Sequence, residues 1–398
     1  MIDVVFLICI FLIAYVYVCY PVLLAILARV FPRKKSANSS GTPTVTLLIA
    51  AHNEAATIQQ KLENSLSLDY PPAQLQIVVA ADGSDDGTVA IVEQYAERGV
   101  VLSYQPERCG KMTAINRAMA LAQGEIVVFS DANNVYDSAV LQELVRPFMD
   151  GAVGGVSGAK TIVKGDGPLG SSEGLYWKYE SFIKQKETQL GSCVGAAGEV
   201  FAIRRHLFEA PPSDVINDDL YMALRLIQRG YRVVYVPKAR SFERVSPSAQ
   251  DEMTRRSRII AGRYQIMVSS LLPSGQPLMS WQIISHKYLR PLVAFAMLGA
   301  LLTNVVLVLQ SGNRPTWLAT IYKLSLFLQA LFYSLALLGK HINSGNLLNK
   351  ILYVPTFLFY SNLAALIGFY GYFSGRQTVV WQRIARRNFE PENYISED

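Results

Sequence analysis

The stretch LQIVVAADGSDDGT, residues 75–88, contains the pattern that decides the fold. It begins with a run of apolar residues, passes through an acidic turn with two glycines and ends at Thr88, where a helical pattern begins. The apolar run predicts a buried strand, and the glycines permit the tight turn that follows it. The stretch therefore predicts one strand–loop–helix unit with Asp82 at the end of its strand.

Similar units lie on both sides of this stretch. Further strands are predicted at residues 44–50, 100–104 and 125–130, and helices at residues 56–66, 88–97 and 112–122. Strands that alternate with helices of this length indicate an α/β fold with a mainly parallel sheet and helices on both faces. Ligands of such sheets bind beyond the carboxyl ends of the strands. The loops at those ends are therefore where a functional site is expected.

The amino-terminal end of the chain has a different composition. Of the 398 residues, 51% are hydrophobic and 17% are charged, which indicates that part of the chain lies in lipid. Residues 4–30 are nearly uncharged and exceed the ~20 residues that a helix needs to cross a bilayer. A cleaved signal peptide is the alternative, but Asp3 stands where such a peptide is basic and the run is too long. The basic residues after the run predict that the next domain is cytoplasmic: Arg29, Arg33, Lys34 and Lys35.

The carboxyl-terminal third contains three apolar segments, residues 291–309, 317–338 and 351–373. If all three cross the membrane, the basic tail that follows lies outside the cytoplasm, against the usual placement of basic residues. We therefore expect two spans followed by an interfacial or re-entrant helix, with a third span as the alternative. Residues 251–272 and 278–288 precede these segments and are typical of helices that lie on a membrane surface.

These patterns predict a multi-pass protein of the inner or plasma membrane, with five regions. The regions are an anchor at residues 1–35, a cytoplasmic domain at 43–250, interfacial helices at 251–290, membrane segments at 291–373 and a basic tail at 374–398. The net charge of +6 lies beside apolar segments, so membrane lipids are a simpler partner than nucleic acid. The four cysteines show no paired spacing, so neither a disulfide framework nor a zinc site is indicated, and the four scattered histidines exclude a histidine-based metal cluster.

Acidic and small residues follow three of the predicted strands and form the candidate site. Ala51 and Glu54 follow the first strand, Asp82 ends the second, and Asp131 and Asn133 follow the strand at 125–130. A carboxylate in the last of these loops can hold a hard divalent cation that also binds a diphosphate. The structural alternatives are an Asx turn in that loop and, for the acids before Thr88, a helix cap and a turn. For Asp86 this structural role explains the residue at least as well as a functional one.

Three further groups have both a chemical and a structural interpretation. Lys111 precedes a helical pattern and suits a phosphate oxygen, although a solvated loop lysine explains it equally well. Asp218 and Asp219 open a helix; they either cap it or provide a catalytic base, since adjacent carboxylates repel and one keeps a raised pKa. Residues 255–263 concentrate basic side chains, which suit lipid head groups, and one arginine there could stabilise a departing diphosphate.

The order of these loops resembles the processive, membrane-integrated members of glycosyltransferase family 2, which include hyaluronan, chitin-oligosaccharide, cellulose and poly-N-acetylglucosamine synthases. The resemblance implies a GT-A-type fold. It also implies that Ala51, Glu54, Asp82, Lys111 and Asp131 bind the donor, with Asp131 and Asn133 at a Mg2+ or Mn2+ ion. Asp219 corresponds to the general base of the T-E-D motif, and Arg258 to the catalytic arginine of Q-x-x-R-W. Gly198, Asp218 and Trp381 correspond to residues near the acceptor.

The sequence departs from the family pattern in three motifs. Asn133 stands where the D-x-D motif has its second acid, and Asn217-Asp218 replaces Thr-Glu. Ile259 replaces the tryptophan whose face stacks against an acceptor sugar. The last departure argues against processive polymerisation but leaves sugar transfer unaffected.

The resemblance implies a membrane-bound inverting glycosyltransferase that moves a sugar from a nucleotide-sugar donor, UDP-N-acetylglucosamine or UDP-glucose, to a growing polysaccharide. The alternative is the nonprocessive transfer of one sugar to a lipid acceptor. The implied partners are a carbohydrate or lipid-linked acceptor and a secretion partner protein. A nicotinamide-dependent oxidoreductase would need G-x-G-x-x-G after the first strand, where this chain has His52-Asn53-Glu54. A transporter or receptor would not need acids at successive strand ends.

Overall fold

The computed structural model describes residues 1–33, 41–163, 167–244, 246, 248–339 and 347–377. The described residues form two compact units. The helical unit comprises Met1–Ile26, Glu252–Val268 and Trp281–Gln377, and the α/β unit comprises Leu27–Asp251 and Ser269–Ser280.

Strands and helices alternate along most of the α/β unit. The described strands are β1 (Val45–Ala51), β2 (Leu75–Asp82), β3 (Val100–Gln105), β4 (Ile126–Asp131), β5 (Val135–Tyr136), β6 (Val153–Ile162), β7 (Phe201–Arg204) and β8 (Arg232–Glu243). The described α-helices of the chain are α1 (Ile2–Ala14), α2 (Tyr20–Val30), α3 (Ile58–Leu66), α4 (Thr88–Glu93), α5 (Lys111–Met119), α6 (Val140–Val145), α7 (Gly167–Leu190), α8 (Asp218–Gln228), α9 (Ala249–Val268), α10 (Pro277–Ile283), α11 (Leu289–Leu309), α12 (Thr316–Leu338) and α13 (Leu347–Phe373).

Among the described residues, one eight-stranded sheet has the order β3-β2-β1-β4-β7-β6-β8-β5. Strands β3, β2, β1 and β4 are parallel, β7 is antiparallel to both of its neighbours, and β6 is parallel to β8. Every residue of β1 is buried, as expected for a central parallel strand with both faces covered. The predicted α/β fold with a mainly parallel sheet is therefore confirmed.

The parallel strands bring the loops of interest to one edge of the sheet. Ala50 of β1 pairs with Ala80 of β2 on one side and with Asp131 of β4 on the other. Asp82 ends β2 two residues beyond Ala80. The carboxyl ends of β1, β2 and β4 therefore lie side by side.

In the helical unit, apolar helices dominate. Four stretches of the described residues are long and apolar enough to cross a bilayer: Ile2–Val30, Pro277–Leu309, Thr316–Leu338 and Val354–Phe373. Large apolar side chains on them are exposed, as expected for surfaces that face lipid. Examples are Leu7, Leu302 and Phe327, which are 60%, 64% and 62% exposed.

One apolar segment differs in form from the expectation, and another stays untested. We expected residues 278–288 to be a separate surface helix, but α10 continues through a π-helical turn, Ile284–Tyr288, directly into α11. The third carboxyl-terminal segment is one helix, α13, with Pro355 inside it. Its length and composition suit a span, so the interfacial or re-entrant arrangement of this segment stays a prediction.

The charged side chain near the start of α1 is paired within the helical unit. The Asp3 carboxylate accepts hydrogen bonds from the Arg314 guanidinium and from the Tyr322 hydroxyl, the latter at 2.8 Å. A charge next to an apolar helix is costly unless it is paired. The pairing of Asp3 therefore allows an acidic residue at the start of an apolar helix.

Candidate active site

Asp82, at the end of β2, holds the loop that leads into α5. Its side chain is 4% exposed, and its two carboxylate oxygens accept the backbone N–H groups of Cys109 and Gly110, each at 2.8 Å. Gly83 follows with φ +59°, and a Cβ atom there would lie 2.7 Å from the Arg108 nitrogen. Only glycine fits this close approach. Asp82 thereby fixes the position of the next residue in the loop, Lys111.

Lys111, the first residue of α5, lies among the other predicted carboxylates. Its Nζ atom donates to Asp131 Oδ1 at 2.7 Å. Burial acts to lower the pKa of Lys111, but the charges of Asp131, Asp218 and Asp219 outweigh it and raise the pKa above its ordinary value. Lys111 is therefore a charged ammonium group close to both Asp131 and the start of α8.

Asp219, in the first turn of α8, has the electrostatic properties of a base that works near neutral pH. Its Oδ2 accepts the Gly198 N–H at 3.1 Å, and its Oδ1 accepts the Leu220 N–H at 2.6 Å. Burial, followed by the charge of Asp218, raises the pKa of Asp219 to about 6. A general base is most effective when its pKa lies near the working pH.

Gly198 allows the approach of the turn before β7 to Asp219. A Cβ atom at Gly198 would lie 3.3 Å from the Asp219 Cβ and 3.4 Å from its Oδ2. A larger residue would have to displace the carboxylate or the turn. The predicted acceptor residue Gly198 is thus in direct contact with the predicted base.

The three carboxylates that the sequence singled out are therefore connected through Lys111 and the loop before it. Asp82 binds the loop that ends in Lys111, Lys111 binds Asp131, and Lys111 lies within the electrostatic range of Asp219. Residues from loops far apart in the chain thus share one edge of the sheet. This is the arrangement needed for groups that act on one ligand.

The residues around Asp131 suit a cation that is held partly by a ligand. Asn133 is 7% exposed, and its Oδ1 is buried with no hydrogen-bond partner among the described residues. The described part of the chain contains no group of three or more His, Cys, Asp or Glu residues that could hold a metal ion. Magnesium-type ions need only one or two protein carboxylates when phosphate oxygens complete their coordination. Asp131 and the orphaned Asn133 oxygen fit this type of site.

The loop after β1 interlocks with the loop after β2. The Glu54 backbone N–H donates to Thr88 Oγ1 at 2.8 Å, and the buried Glu54 carboxylate accepts the Thr57 hydroxyl at 2.9 Å. Ala51 and Asp82 line the same small pocket. The Asp86 carboxylate accepts the Thr88 N–H at 3.1 Å. Because Gly87 is the N-cap of α4, Asp86 has the structural role of shaping the turn before the helix, and it is not the N-cap.

The remaining predicted site residues have the following positions. Asp218 precedes Asp219 in α8 and is partly exposed. Arg258 lies on α9 within the helical unit. Trp381 lies outside the described residues. The roles of these three residues stay predictions.

Lys61 is a residue of this region that the sequence analysis missed. It is 1% exposed, its Nζ donates to Asn134 Oδ1 at 2.7 Å, and it lies 3.8 Å from the centre of the Tyr136 ring. Burial lowers its pKa to about 7, although the charge of Asp131 opposes this change. The signal in the sequence was a lysine on the apolar face of a helix, between Ile58 and Leu62.

The family comparison assigns this region to a known class of domain. Residues 46–210 match the model of the family described as glycosyl transferase family 2. The chain is 27% identical over 255 residues to a probable glycosyltransferase, YdaM, of Bacillus subtilis. It is 26% identical over 244 residues to a poly-beta-1,6-N-acetyl-D-glucosamine synthase of Staphylococcus aureus. Each match covers 59% of this chain and 58% of the relative's length.

One solved structure resembles most of the chain. It is a mannosyltransferase of Pyrobaculum calidifontis in complex with GDP-mannose and Mn2+, with a TM-score of 0.71. The superposition covers 92% of this chain and 99% of the other, at 22% sequence identity. This likeness concerns the fold, and it confirms the predicted GT-A-type architecture.

Proposed function

We propose that this chain, which carries a glycosyl transferase family 2 domain at residues 46–210, transfers a sugar from a nucleotide-sugar donor to an acceptor with inversion at the anomeric carbon. The observation that carries the proposal is the position of Lys111, which pairs with Asp131 and lies within the electrostatic range of Asp219. Sugar transfer requires the donor diphosphate and the general base to lie in one site.

The donor side of the site is proposed to bind the nucleotide through the loops after β1, β2 and β4. Asp131 and Asn133 would hold a Mg2+ or Mn2+ ion, which supplies positive charge for the diphosphate when it is bound. Ala51, Glu54 and Asp82 are proposed to lie on the side of the site that binds the nucleoside, and Ala51 and Asp82 line the same pocket. Lys111 and Arg258 are proposed to offset the charge that grows on the departing diphosphate.

Asp219 is the proposed general base. It takes the proton from an acceptor hydroxyl while that oxygen attacks the anomeric carbon, and the bond from this carbon to the diphosphate oxygen breaks. Its raised pKa supports this role, because a carboxylate with a pKa of about 6 is a stronger base than an ordinary aspartate yet is ionised at pH 7. Gly198, Asp218 and Trp381 are proposed to lie on the acceptor side.

The proposed acceptor is a growing polysaccharide, with UDP-N-acetylglucosamine or UDP-glucose as donor. The likeness to a poly-beta-1,6-N-acetyl-D-glucosamine synthase supports this choice. Ile259, which lacks an aromatic face, favours the second candidate, which is transfer of one sugar to a lipid acceptor. The four apolar helical stretches support a location in the inner or plasma membrane, and the basic flank at Arg29 and Arg33 supports a cytoplasmic catalytic domain.

One experiment tests donor, acceptor and processivity together. Membranes that contain the chain, and matched membranes with Asp219→Asn, are incubated with Mn2+ and a panel of radiolabelled nucleotide sugars. We expect label from one UDP-sugar to enter a product with the wild-type chain only. A ladder of sizes supports the polysaccharide, and one sugar in an organic-soluble product supports the lipid acceptor. No transfer from any nucleotide sugar would refute the proposed function.

A further inference from the structure

We propose that Lys61 is a positioning residue that ties the loop carrying Asp131 and Asn133 to the turn that holds Asp219. The inference rests on the proposed function, because it assigns to one buried side chain the alignment of the donor side with the base. Lys61 itself is expected to touch neither the donor nor the acceptor.

The burial of Lys61 calls for an explanation. Its side chain is 1% exposed on α3, and a buried ammonium group is unfavourable unless polar partners replace water. Its described partners are the Asn134 side-chain oxygen, 2.7 Å from Nζ, and the face of the Tyr136 ring, with the centre 3.8 Å away. Both partners lie just after Asp131 in the chain. Lys61 therefore acts on this loop from inside the protein.

Asn134 connects this loop to two other parts of the sheet edge. Its Oδ1 accepts the Ser130 hydroxyl at 3.1 Å in addition to Lys61. Its Nδ2 donates to the Glu199 carbonyl at 2.9 Å and to Ser241 Oγ at 2.7 Å. The amide thereby uses all of its hydrogen-bonding capacity, so its orientation is fixed. Lys61 helps to set that orientation because it binds the oxygen end.

Tyr136 makes a second connection to the same carbonyl. Its hydroxyl donates to the Glu199 carbonyl at 2.6 Å, while its ring faces Lys61. Glu199 directly follows Gly198, whose N–H binds Asp219 Oδ2. A continuous path therefore runs from Lys61 through Asn134 or Tyr136 to the Glu199 carbonyl, and from Gly198 to the base.

Simple core packing is the competing explanation, and it makes a different prediction. If Lys61 only fills space, an uncharged side chain of similar length such as methionine should replace it with a small effect. If Lys61 positions the site, Lys61→Met removes a donor from Asn134 and a cation from the Tyr136 face. The Asp131 loop then loses its contacts with Lys61, and the Gly198 turn, which is bonded to Asn134 and Tyr136 of that loop, is held less firmly.

The test compares Lys61→Met with Leu62→Ala in the full-length chain purified in detergent. Leu62 is the next residue of α3 and is fully buried, so its truncation lowers stability without touching the path. We expect Lys61→Met to speed amide hydrogen exchange at both residues 130–136 and residues 197–201. We also expect weaker binding of Mn2+ with UDP and a lower kcat, each by about tenfold. Leu62→Ala is expected to lower the melting temperature but to leave these local exchange rates and kcat per folded molecule unchanged.

A second variant keeps the inference testable if Lys61→Met does not fold. Tyr136→Phe keeps the ring beside Lys61 but removes the donor to the Glu199 carbonyl. We expect faster exchange at residues 197–201 and a lower kcat, with Mn2+ and UDP binding unchanged.

The outcomes separate this inference from the proposed function. Wild-type exchange rates in both loops of Lys61→Met would overturn the role of Lys61, and a wild-type rate in the turn of Tyr136→Phe would overturn the connection through Tyr136. If Lys61→Met alters both loops to the same degree as Leu62→Ala, the packing explanation is correct instead. If the wild-type chain binds no nucleotide and transfers no sugar, the proposed function fails, and the exchange measurements still decide whether Lys61 links the two loops.

Discussion

Replacement of Asp219 by asparagine should remove activity and, above pH 6, stabilise the fold. The pKa of Asp219 is about 6, whereas an ordinary aspartate has 3.8. A pKa difference of 1 corresponds to about 1.4 kcal/mol, so the ionised Asp219 carboxylate lowers the free energy of unfolding by roughly 3 kcal/mol. Asparagine avoids this cost. It has one oxygen for the two N–H groups of Gly198 and Leu220, so it loses about 1 kcal/mol. The net gain is about 2 kcal/mol.

The stability effect should depend on pH with a defined sign. Because folding raises the pKa, the wild-type chain loses stability as the pH rises from about 4 to about 6, and the loss is complete above the folded-state value. The variant has no such dependence. Melting curves of the full chain in detergent should therefore show a gain of about 2 to 3 °C for Asp219→Asn at pH 8 and no gain at pH 4.

Activity should change in the opposite direction. Loss of a general base lowers kcat by roughly 100- to 10,000-fold, while the KM for the donor stays close to that of the wild type. In the wild-type chain, kcat/KM should fall as the pH decreases below about 6, because Asp219 becomes protonated. Asp218→Asn is the control: it removes the repelling neighbour, so this acidic limb should move to lower pH. Near-wild-type turnover by Asp219→Asn, or an equal melting shift at pH 4 and pH 8, would refute this reasoning.

The site geometry gives three more expectations. Asp131→Ala should weaken the activation of transfer by Mn2+ about 10- to 100-fold in a metal titration, and an unchanged metal requirement would contradict its assignment as a ligand. Gly198→Ala places a Cβ atom 3.3 Å from the Asp219 Cβ, so kcat should fall about tenfold or more with little change in donor KM; a normal kcat would mean that the turn adapts. Gly83 has φ +59°, and the Cβ atom of Gly83→Ala would lie 2.7 Å from the Arg108 nitrogen. This variant should lower the free energy of unfolding by more than about 1 kcal/mol, and an unchanged melting temperature would contradict the steric argument.

The sequence predicted the half of the sheet that is formed by the first four strands of the chain. The four predicted strands correspond to β1, β2, β3 and β4, with bounds that differ by at most two residues. Their apolar runs are continuous because both faces are buried. The antiparallel insertion of β7 was not predicted. Its four residues are too few for a periodic signal, and their place between β4 and β6 depends on pairing with strands distant in the chain.

The acidic residues of the site were predictable because their position relative to strand ends is a local property. Asp82 and Asp131 each end an apolar run, so their shared edge follows from parallel pairing. The pairing of Lys111 with Asp131 was not predicted, since we considered only a phosphate partner or solvent for this lysine. Lys61 was missed because helical periodicity predicts a buried face but does not predict which polar groups lie opposite it.

The contact between Lys111 and Asp131 would couple the binding of a metal ion to the binding of a nucleotide. A divalent ion held by Asp131 would compete with the Lys111 ammonium group, whose Nζ lies 2.7 Å from Asp131 Oδ1. A diphosphate beside Lys111 would compensate the ammonium group for the weakened contact. Each ligand would then lower the free-energy cost of binding the other, and such cooperativity is the same in both directions.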